Sequence, residues 1–467
     1  LRSARAERQL HLVAPPEGGG AVAMKTLVLI ESDSLTRTLI SECLAGLDWV
    51  VFEAENGQAG VELVMKHRPD AVVCDLRTPK RNGFQVARLI REQAALKATR
   101  IILMTVSRFA NDRETAFESG ADEYLLKPIV PNELLRMLAA CGTNGQAPLA
   151  PADAKAVAAG PTLIRFWGVR GSIPTPGRET SVHGGNTSCV EMRVADQIII
   201  LDAGSGIRRL GQALMKEIGE TGLNVSMLVT HTHWDHIQGF PFFVPAYHPK
   251  VNIRILGYEG AVHGLRGALF EQMQSAFFPV GLNQMATHLT FEELDDMQFD
   301  LGVVKVRTMF ANHPGICLGY RLTTPAGDVV YMPDHEAYER CEVERQKAEK
   351  DSSAHGLEYA RVQDQKVVDF MRDAEVVIAD SQYDAVEYPS RRGWGHTCAD
   401  DTVQLALRAG AKRLFLFHHD PDHNDEKLEG MITRAREAIA AAGGKMEVSA
   451  AKEGEEILLQ PPTRTAD

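Results

Sequence analysis

The stretch Thr230-His231-Thr232-His233-Trp234-Asp235-His236 places four metal-ligand side chains within six residues. It follows the apolar run 223–229, and a strand that ends in such a loop directs imidazole and carboxylate groups into one small volume. These groups bind Zn and also Mn or Fe. The alternative is a polar loop whose histidines cap local backbone groups, but the chain has only 16 His in total. So dense a cluster therefore favours a metal site.

Three further ligand-type side chains each follow an apolar run farther along the chain. They are His313, Asp334 and His418. Because each lies at a predicted strand end, a loop can deliver it to the same site. His419 directly follows His418 and is the alternative ligand at that position.

The spacing His-x-His-x-Asp-His, together with these downstream residues, resembles the signature of the metallo-β-lactamase fold hydrolases. The resemblance implies a four-layer αββα sandwich with two divalent metal ions at one edge, Zn or else Mn or Fe. It assigns one ion to His231, His233 and His313, the other to Asp235, His236 and His418, and Asp334 to both.

A second motif, Gly393-Trp394-Gly395-His396-Thr397, precedes a predicted helix and strand. It resembles the phosphodiesterase branch of this fold, which includes the cyclic phosphodiesterases of phosphonate breakdown and the tRNA 3′-processing endonucleases. The resemblance implies that His396 either donates a proton to the leaving oxygen or steadies the phosphate, and Asp235 is expected to be catalytic as well. Asp380 is expected to orient His396 or a ligand histidine. The alternative is that His396 caps its own helix.

Strands and helices alternate compactly between residues 24 and 142. Strands are predicted over 26–30, 50–53, 71–74, 100–104 and 123–126, with helices over 35–47 and 58–66. This alternation predicts a doubly wound parallel sheet with helices on both faces. Asp75, Thr105 and Lys127 follow three of the strands, so they should collect at the carboxyl edge of the sheet.

This trio, with Asp75 in Cys-Asp-Leu-Arg-Thr-Pro-Lys-Arg-Asn-Gly and a Lys-Pro pair at Lys127, resembles the receiver domain of bacterial response regulators. The resemblance implies a flavodoxin-like fold, a bound Mg ion, and phosphorylation of Asp75 by a sensor histidine kinase or another phosphodonor. Receivers usually carry two adjacent acids after the first strand, whereas this chain has Glu31-Ser32-Asp33. Either Asp33 compensates by one residue or Mg binding is weak, and a receiver that is no longer phosphorylated is the alternative.

Composition limits the remaining possibilities. The 467 residues carry a net charge of −12, which argues against broad nonspecific binding of nucleic acid. Seven scattered cysteines without a Cys-x-x-Cys pair favour a reducing compartment, so we expect a cytoplasmic protein. No apolar run approaches the length of a membrane span.

The composition also suggests domain boundaries. Residues 1–23 are expected to be disordered, which makes Met24 a candidate natural start, and 143–161 form an Ala/Pro-rich linker before the hydrolase domain at 162–467. The aromatic-rich stretch 240–300 either walls a base-stacking pocket or is plain core. The charged stretch 336–372 is interpreted as a solvated helical face or a dimer contact.

These features together predict a two-component signalling protein whose output is a dinuclear-metal hydrolase. The expected substrate is a small phosphodiester such as a cyclic nucleotide, with RNA as a further candidate, and a homodimer is left open. One alternative is hydrolysis of a thioester, lactone or β-lactam, which the fold also permits. Another is a signalling adaptor whose hydrolase domain is inactive.

Overall fold

A computed structural model describes residues 25–461 except 45–46, 48, 106–109, 128, 130, 139–159, 259–263, 286, 295–296 and 350–353. The predicted N-terminal extension and almost all of the predicted linker lie outside the described residues. Among the described residues, no helix is both long and apolar enough to cross a membrane.

The first domain is a parallel sheet with helices between its strands. Its strands are β1 (Lys25–Ile30), β2 (Trp49–Ala54), β3 (Ala71–Asp75), β4 (Arg100–Thr105) and β5 (Glu123–Leu126). Its helices are α1 (Ser34–Leu44), α2 (Gly57–His67), α3 (Gly83–Glu92), α4 (Ala110–Glu118) and α5 (Pro131–Leu138). The spatial order β2-β1-β3-β4-β5 is the flavodoxin-like order, which confirms the predicted fold.

The second domain begins with strands that build one mixed sheet. They are β6 (Thr162–Gly168), β7 (Cys189–Val194), β8 (Gln197–Leu201), β9 (Leu223–Leu228), β10 (Val251–Gly257) and β11 (His288–Glu293). The helices of this part are α6 (Ile207–Leu214), the single turn α7 (Trp234–Ile237) and α8 (Gly264–Gln272).

The later strands build a second mixed sheet. They are β12 (Gln298–Leu301), β13 (Val304–Phe310), β14 (Leu318–Thr324), β15 (Gly327–Met332), β16 (Val376–Asp380), β17 (Arg413–Phe417) and β18 (Glu447–Ala450). The helices here are α9 (Tyr338–Glu349), α10 (Ala354–Met371), α11 (Tyr388–Arg391), α12 (Ala399–Arg408) and α13 (Asp425–Ala441). The last strand, β19 (Glu456–Leu459), returns to the first sheet beside β6.

The two sheets have the orders β11-β10-β9-β8-β7-β6-β19 and β12-β13-β14-β15-β16-β17-β18 within the described chain. Their facing side chains form one apolar core, in which the ring of Phe166 lies 5.2 Å from that of Phe415. Separate clusters cover the outer faces, one with α6 and α8 and the other with α10, α12 and α13. The layers are therefore helix, sheet, sheet, helix, which confirms the predicted αββα sandwich.

The charged stretch 336–372 forms α9 and α10, and part of it contacts the first domain. Lys366 Nζ lies 2.9 Å from the Asp33 carboxylate. Elsewhere the hydroxyl of Tyr258 donates to the carbonyl oxygen of Thr78 at 2.7 Å. The interpretation of this stretch as a solvated face or dimer contact did not include such a contact within the chain.

We predict that Phe166→Ala lowers the free energy of unfolding by about 3–5 kcal/mol, because Phe166 fills the space between the two sheets and is fully buried. Phe277→Ala is the control, since its side chain is 76% exposed; it should change stability by less than about 0.5 kcal/mol. Urea unfolding of both variants measures the difference. Equal effects would show that the core between the sheets is not packed as described.

Candidate metal centre and receiver site

The ligand-type side chains of the second domain come from loops at one edge of the sandwich. The motif 231–236 follows β9, and its last two ligands lie on the short helix α7. His313, Asp334 and His418 follow β13, β15 and β17. The structure thus gathers side chains that are far apart in sequence around one point.

The first group consists of His231, His233 and His313. His313 Nε2 lies 2.9 Å from His233 Nδ1, and the rings of His231 and His313 are 4.7 Å apart. Each of the three side chains offers a nitrogen within 4.8 Å of the others. This is a spacing that one metal ion can span.

The second group consists of Asp235, His236 and His418. His418 Nε2 lies 3.0 Å from Asp235 Oδ2 and 3.3 Å from His236 Nε2. The backbone N–H of Ser172 donates to the same Asp235 oxygen at 2.7 Å and fixes the carboxylate. His419, the alternative ligand, instead lies 3.1 Å from the carbonyl oxygen of Ala451 and outside both groups.

Asp334 lies between the two groups and presents one carboxylate oxygen to each. Its Oδ1 is 3.0 Å from His236 Nε2 and 3.5 Å from His418 Nε2. Its Oδ2 is 3.7 Å from His231 Nε2 and 3.6 Å from His313 Nε2. A carboxylate placed in this way can serve two cations at once.

Burial and neighbouring charges shift the pKa values of the side chains in this centre. Burial and the neighbouring imidazoles hold the pKa values of His231 and His313 well below the usual range, so both rings are neutral. Burial also opposes protonation of His236, but Asp334, Asp235 and Asp202 outweigh it and raise its pKa. Burial disfavours the charged form of Asp334, but His236 and His418 outweigh it and lower the pKa.

The donor set fits divalent metal ions. Nε2 of His231 is buried and has no hydrogen-bond partner among the described residues. Neutral imidazole nitrogens and ionised carboxylates are the forms that ligate a metal. The first group offers three nitrogens and one oxygen of Asp334 to one ion. The second group, with the other oxygen of Asp334, offers four ligands to the other ion, and four ligands are a near-complete set for a divalent ion.

Asp202 orients this centre from behind, a role that the sequence analysis missed. Its Oδ2 lies 2.8 Å from His236 Nδ1 and accepts a hydrogen bond from the hydroxyl of Tyr331 at 2.9 Å. The other oxygen accepts from the backbone N–H of Thr230 at 2.7 Å. Asp202 ends the apolar strand β8, as the ligands end theirs, and this signal was available in the sequence.

Two more groups hold imidazoles through their second nitrogen, as is usual for metal-ligating histidines. His418 Nδ1 lies 3.0 Å from Gln382 Oε1, and His313 Nδ1 lies 2.9 Å from the carbonyl oxygen of Gly395. His418 also has a backbone φ of 60°, which non-glycine residues rarely adopt. Strain of this kind is typical of functional sites.

His396 lies beside the metal groups, with its ring 4.8 Å from that of His418 and 5.0 Å from that of His313. Its Nδ1 is 2.8 Å from Asp380 Oδ2 but 3.9 Å from Asp334 Oδ2. Burial disfavours the imidazolium, but Asp380 outweighs it and raises the pKa of His396 to about 9. The structure therefore brings His396 and Asp380 together as expected.

Glu336 fixes the loop that carries His396. Its carboxylate is buried and accepts hydrogen bonds from the hydroxyl of Tyr388 at 2.5 Å and from the N–H groups of Gly393 and Gly395 at 2.9 and 3.1 Å. Because the Gly395 carbonyl also contacts His313, Glu336 supports both a ligand and the expected acid. No local sequence pattern marks this residue.

In the first domain, Lys127 lies between two carboxylates at the carboxyl edge of the sheet. Its Nζ is 2.5 Å from Glu31 Oε2 and 2.8 Å from Asp75 Oδ2. Thr105 is buried at the end of β4, and its carbonyl accepts from the backbone N–H of Lys127 at 2.8 Å. Burial and the Asp75 carboxylate raise the pKa of Glu31 to about 7.

Asp33 does not join this group through its carboxylate. Its backbone N–H donates to Glu31 Oε1 at 2.8 Å, but its side chain accepts from Thr36 and pairs with Lys366. In the described conformation Asp33 is therefore not directed at Asp75. The expectation that it compensates for Ser32 as an Mg ligand requires it to leave Lys366.

Comparison with known families matches both domains. Residues 27–139 match the model of the response regulator receiver domain, and residues 198–419 match the model of the beta-lactamase superfamily domain. Both matches confirm the two assignments made from the sequence motifs.

Three individual proteins are each similar to one of the two domains. The transcriptional regulatory protein SrrA of Staphylococcus aureus is 34% identical over 109 residues. These residues are 23% of this chain and 44% of SrrA, so the match spans less than half of this relative. The metallo-β-lactamase fold protein YhfI from Bacillus subtilis is 19% identical, with a TM-score of 0.44 over 64% of this chain and 100% of its own. The short form of human tRNase Z is 18% identical, with a TM-score of 0.42 over 63% of this chain and 98% of its own.

We predict that Asp334→Ala removes both metal ions, because each group loses its shared carboxylate oxygen. Elemental analysis of the purified protein should give close to two divalent ions per wild-type chain and almost none in the variant. Asp422→Ala is the control, since this carboxylate is exposed and lies outside both groups. Full metal content in Asp334→Ala would contradict the shared role.

We further predict that His418→Asn lowers the metal content by about one ion per chain, whereas His419→Asn keeps two. The two residues are adjacent and equally buried, so the pair separates a ligand from a structural histidine. Metal analysis together with thermal unfolding of both variants checks this. The opposite pattern would make His419 the ligand.

Proposed function

We propose that this chain, in which a response regulator receiver domain precedes a domain of the metallo-β-lactamase fold, is a receiver-controlled hydrolase that uses two divalent metal ions. Its proposed substrate is a phosphodiester, most simply a cyclic nucleotide or a related small molecule. The observation that carries this proposal is the position of Asp334 between two ligand groups, with the His396–Asp380 pair directly beside them.

The ligand groups support a hydrolytic reaction. When bound, two divalent ions supply Lewis-acid assistance to water and to the phosphoryl group. His231, His233, His313 and the Asp334 carboxylate would hold one ion, and the second group would hold the other. Asp202, Gln382 and Gly395 keep the imidazoles in the orientation that ligation requires.

His396 supports phosphodiester cleavage in particular. Because Nδ1 of His396 is directed at Asp380, Nε2 remains to donate a proton to the departing oxygen. The Asp380 carboxylate stabilises the imidazolium form of His396. Asp380 also accepts from the backbone N–H of His335 and is therefore itself held in place.

Exposed aromatic side chains that are close in sequence to a ligand and to His396 favour a substrate with a flat ring. Trp234 follows the ligand His233 and is 71% exposed, and Trp394 lies two residues before His396 and is 55% exposed. The guanidinium of Arg391 lies 4.8 Å from the Trp394 ring and adds a positive charge suited to a phosphate. In the stretch 240–300, Phe240 is core, whereas others such as Phe277 are exposed.

The receiver supplies control. Asp75, Glu31 and Lys127 form the group that phosphoryl transfer to a carboxylate needs, with Mg as the expected cofactor and a sensor histidine kinase or another phosphodonor as the partner. Acetyl phosphate, a small phosphodonor, and a histidine kinase transfer the same phosphoryl group to Asp75. Either can therefore be used to test the receiver.

The defining experiment offers the metal-loaded chain a bis(aryl) phosphodiester, then cyclic nucleotides, cyclic dinucleotides and RNA 3′ ends, beside a thioester, a lactone and a β-lactam. Metal-dependent cleavage of the diesters alone supports the proposal. Preference for an acyl substrate would make the protein a different hydrolase. A metal-loaded chain inactive on every substrate would favour an adaptor.

We predict that His396→Ala keeps both metal ions but lowers the rate on a phosphodiester with a poor leaving group by about 10²–10⁴-fold, as expected for a removed general acid. The loss should shrink with a very good leaving group, which needs little protonation. His355→Ala, which removes an exposed histidine, is the control. Full activity of His396→Ala on poor leaving groups would contradict the proposed role.

A further inference from the structure

The segment that directly follows Asp75 reaches into the second domain. Arg77 is 7% exposed, and its Nη2 donates to the carbonyl oxygen of His313 at 3.1 Å. Its Nη1 lies 3.5 Å from the hydroxyl of Tyr338. The receiver thus places a buried cation on the backbone of a residue from the first ligand group.

A second polar contact holds the same loop. The backbone N–H of Gly315 donates to Asp112 Oδ1 of α4 at 2.7 Å. The side chain of His313 is fixed at the same time, with Nδ1 on the Gly395 carbonyl and Nε2 beside His233. The receiver therefore holds the backbone on both sides of Pro314, and the hydrolase domain holds the ring.

Arg77 is also adjacent to the expected phosphorylation site. Its backbone N–H lies 3.4 Å from Asp75 Oδ1. Burial raises the pKa of Tyr338, whose hydroxyl lies 3.5 Å from Arg77 Nη1. Nε of Arg77 is buried without a hydrogen-bond partner among the described residues.

We propose that Arg77 is a positioning residue of the metal centre and that it links the state of Asp75 to the metal ligand His313. This inference rests on the proposed metal-dependent function of the second domain. Groups that orient metal ligands from outside typically change metal affinity by 10–100-fold when they are removed. Arg77 acts on the ligand backbone, and it comes from the other domain.

The link to Asp75 follows from what a guanidinium prefers to bind. In the transfer, a carboxylate oxygen of Asp75 forms a bond to phosphorus, and the phosphorus–oxygen bond of acetyl phosphate breaks with its electrons going to acetate. The new phosphoryl oxygens are stronger acceptors for a guanidinium than a neutral carbonyl is. Arg77 would then leave the carbonyl of His313, and that ligand would lose a support.

The test compares full-length wild type with Arg77→Ala, Arg77→Lys and Arg81→Ala. Arg81 is the matched control, because it lies in the same loop but donates to Gln58 within the receiver. Zinc affinity is measured by competition with a chelator in the absence of substrate, and kcat and KM are then measured on a bis(aryl) phosphodiester. Thermal unfolding shows whether each variant is folded, and Arg77→Gln replaces Arg77→Ala if the latter is not.

We expect Arg77→Ala to bind the more weakly held of its two zinc ions with 10–100-fold lower affinity. At limiting zinc, its kcat should fall by a larger factor than its KM changes. Arg77→Lys should recover part of this loss, and Arg81→Ala should match wild type. Wild-type zinc affinity in a folded Arg77→Ala protein would overturn the inference. The zinc affinity is measured without substrate. A chain that does not hydrolyse phosphodiesters would therefore refute the proposed function, but the zinc affinity would still test the role of Arg77.

Phosphorylation provides the second arm. After treatment with acetyl phosphate and Mg, wild type should shift towards the zinc affinity of Arg77→Ala, whereas Asp75→Asn should not change. Arg77→Ala should gain the phosphoryl group by mass but show no further loss of affinity. A phosphorylated Arg77→Ala protein that shifts as much as wild type would show that Arg77 does not carry the link.

Discussion

The Asp334 carboxylate is the group on which the rest of the second domain depends. Imidazoles and carboxylates surround it in a buried volume, where isolated charges are costly and must be paired. Burial opposes protonation of His236, but Asp334 and its neighbouring carboxylates raise its pKa, whereas burial lowers the pKa of His231. Divalent ions at the proposed site would charge-pair with Asp334 and ligate neutral nitrogens. The surrounding hydrogen bonds orient the ligands for that state.

Both domains use the same physical device to build a site. Parallel strands end at a common edge, so residues that follow different strands meet there. Asp75 and Lys127 meet in this way in the receiver, and Asp334 and His418 do so in the sandwich. In this chain the two edges contact each other through Arg77, which places the expected phosphorylation site next to a metal ligand. Control of the centre by the receiver therefore requires no long-range path.

Local sequence signals predicted much of the two sites. The cluster from His231 to His236 needs only one loop to come together, and Asp334 and His418 were recognisable because each follows an apolar strand. Asp202 carries the same signal, because it directly follows the apolar strand β8. No local sequence pattern identifies Glu336 or Arg77, because their partners lie in loops that only the tertiary fold brings near. Asp33 shows the same limit, because its partner Lys366 comes from a distant helix.

The central claim is that Asp334 holds two metal ions side by side, and anomalous diffraction tests it most directly. Crystals of the zinc-loaded chain would be measured on either side of the zinc absorption edge. We predict two anomalous peaks about 3.5–4 Å apart, with the Asp334 carboxylate contacting both. A single peak, or two peaks of which only one contacts Asp334, would contradict the claim.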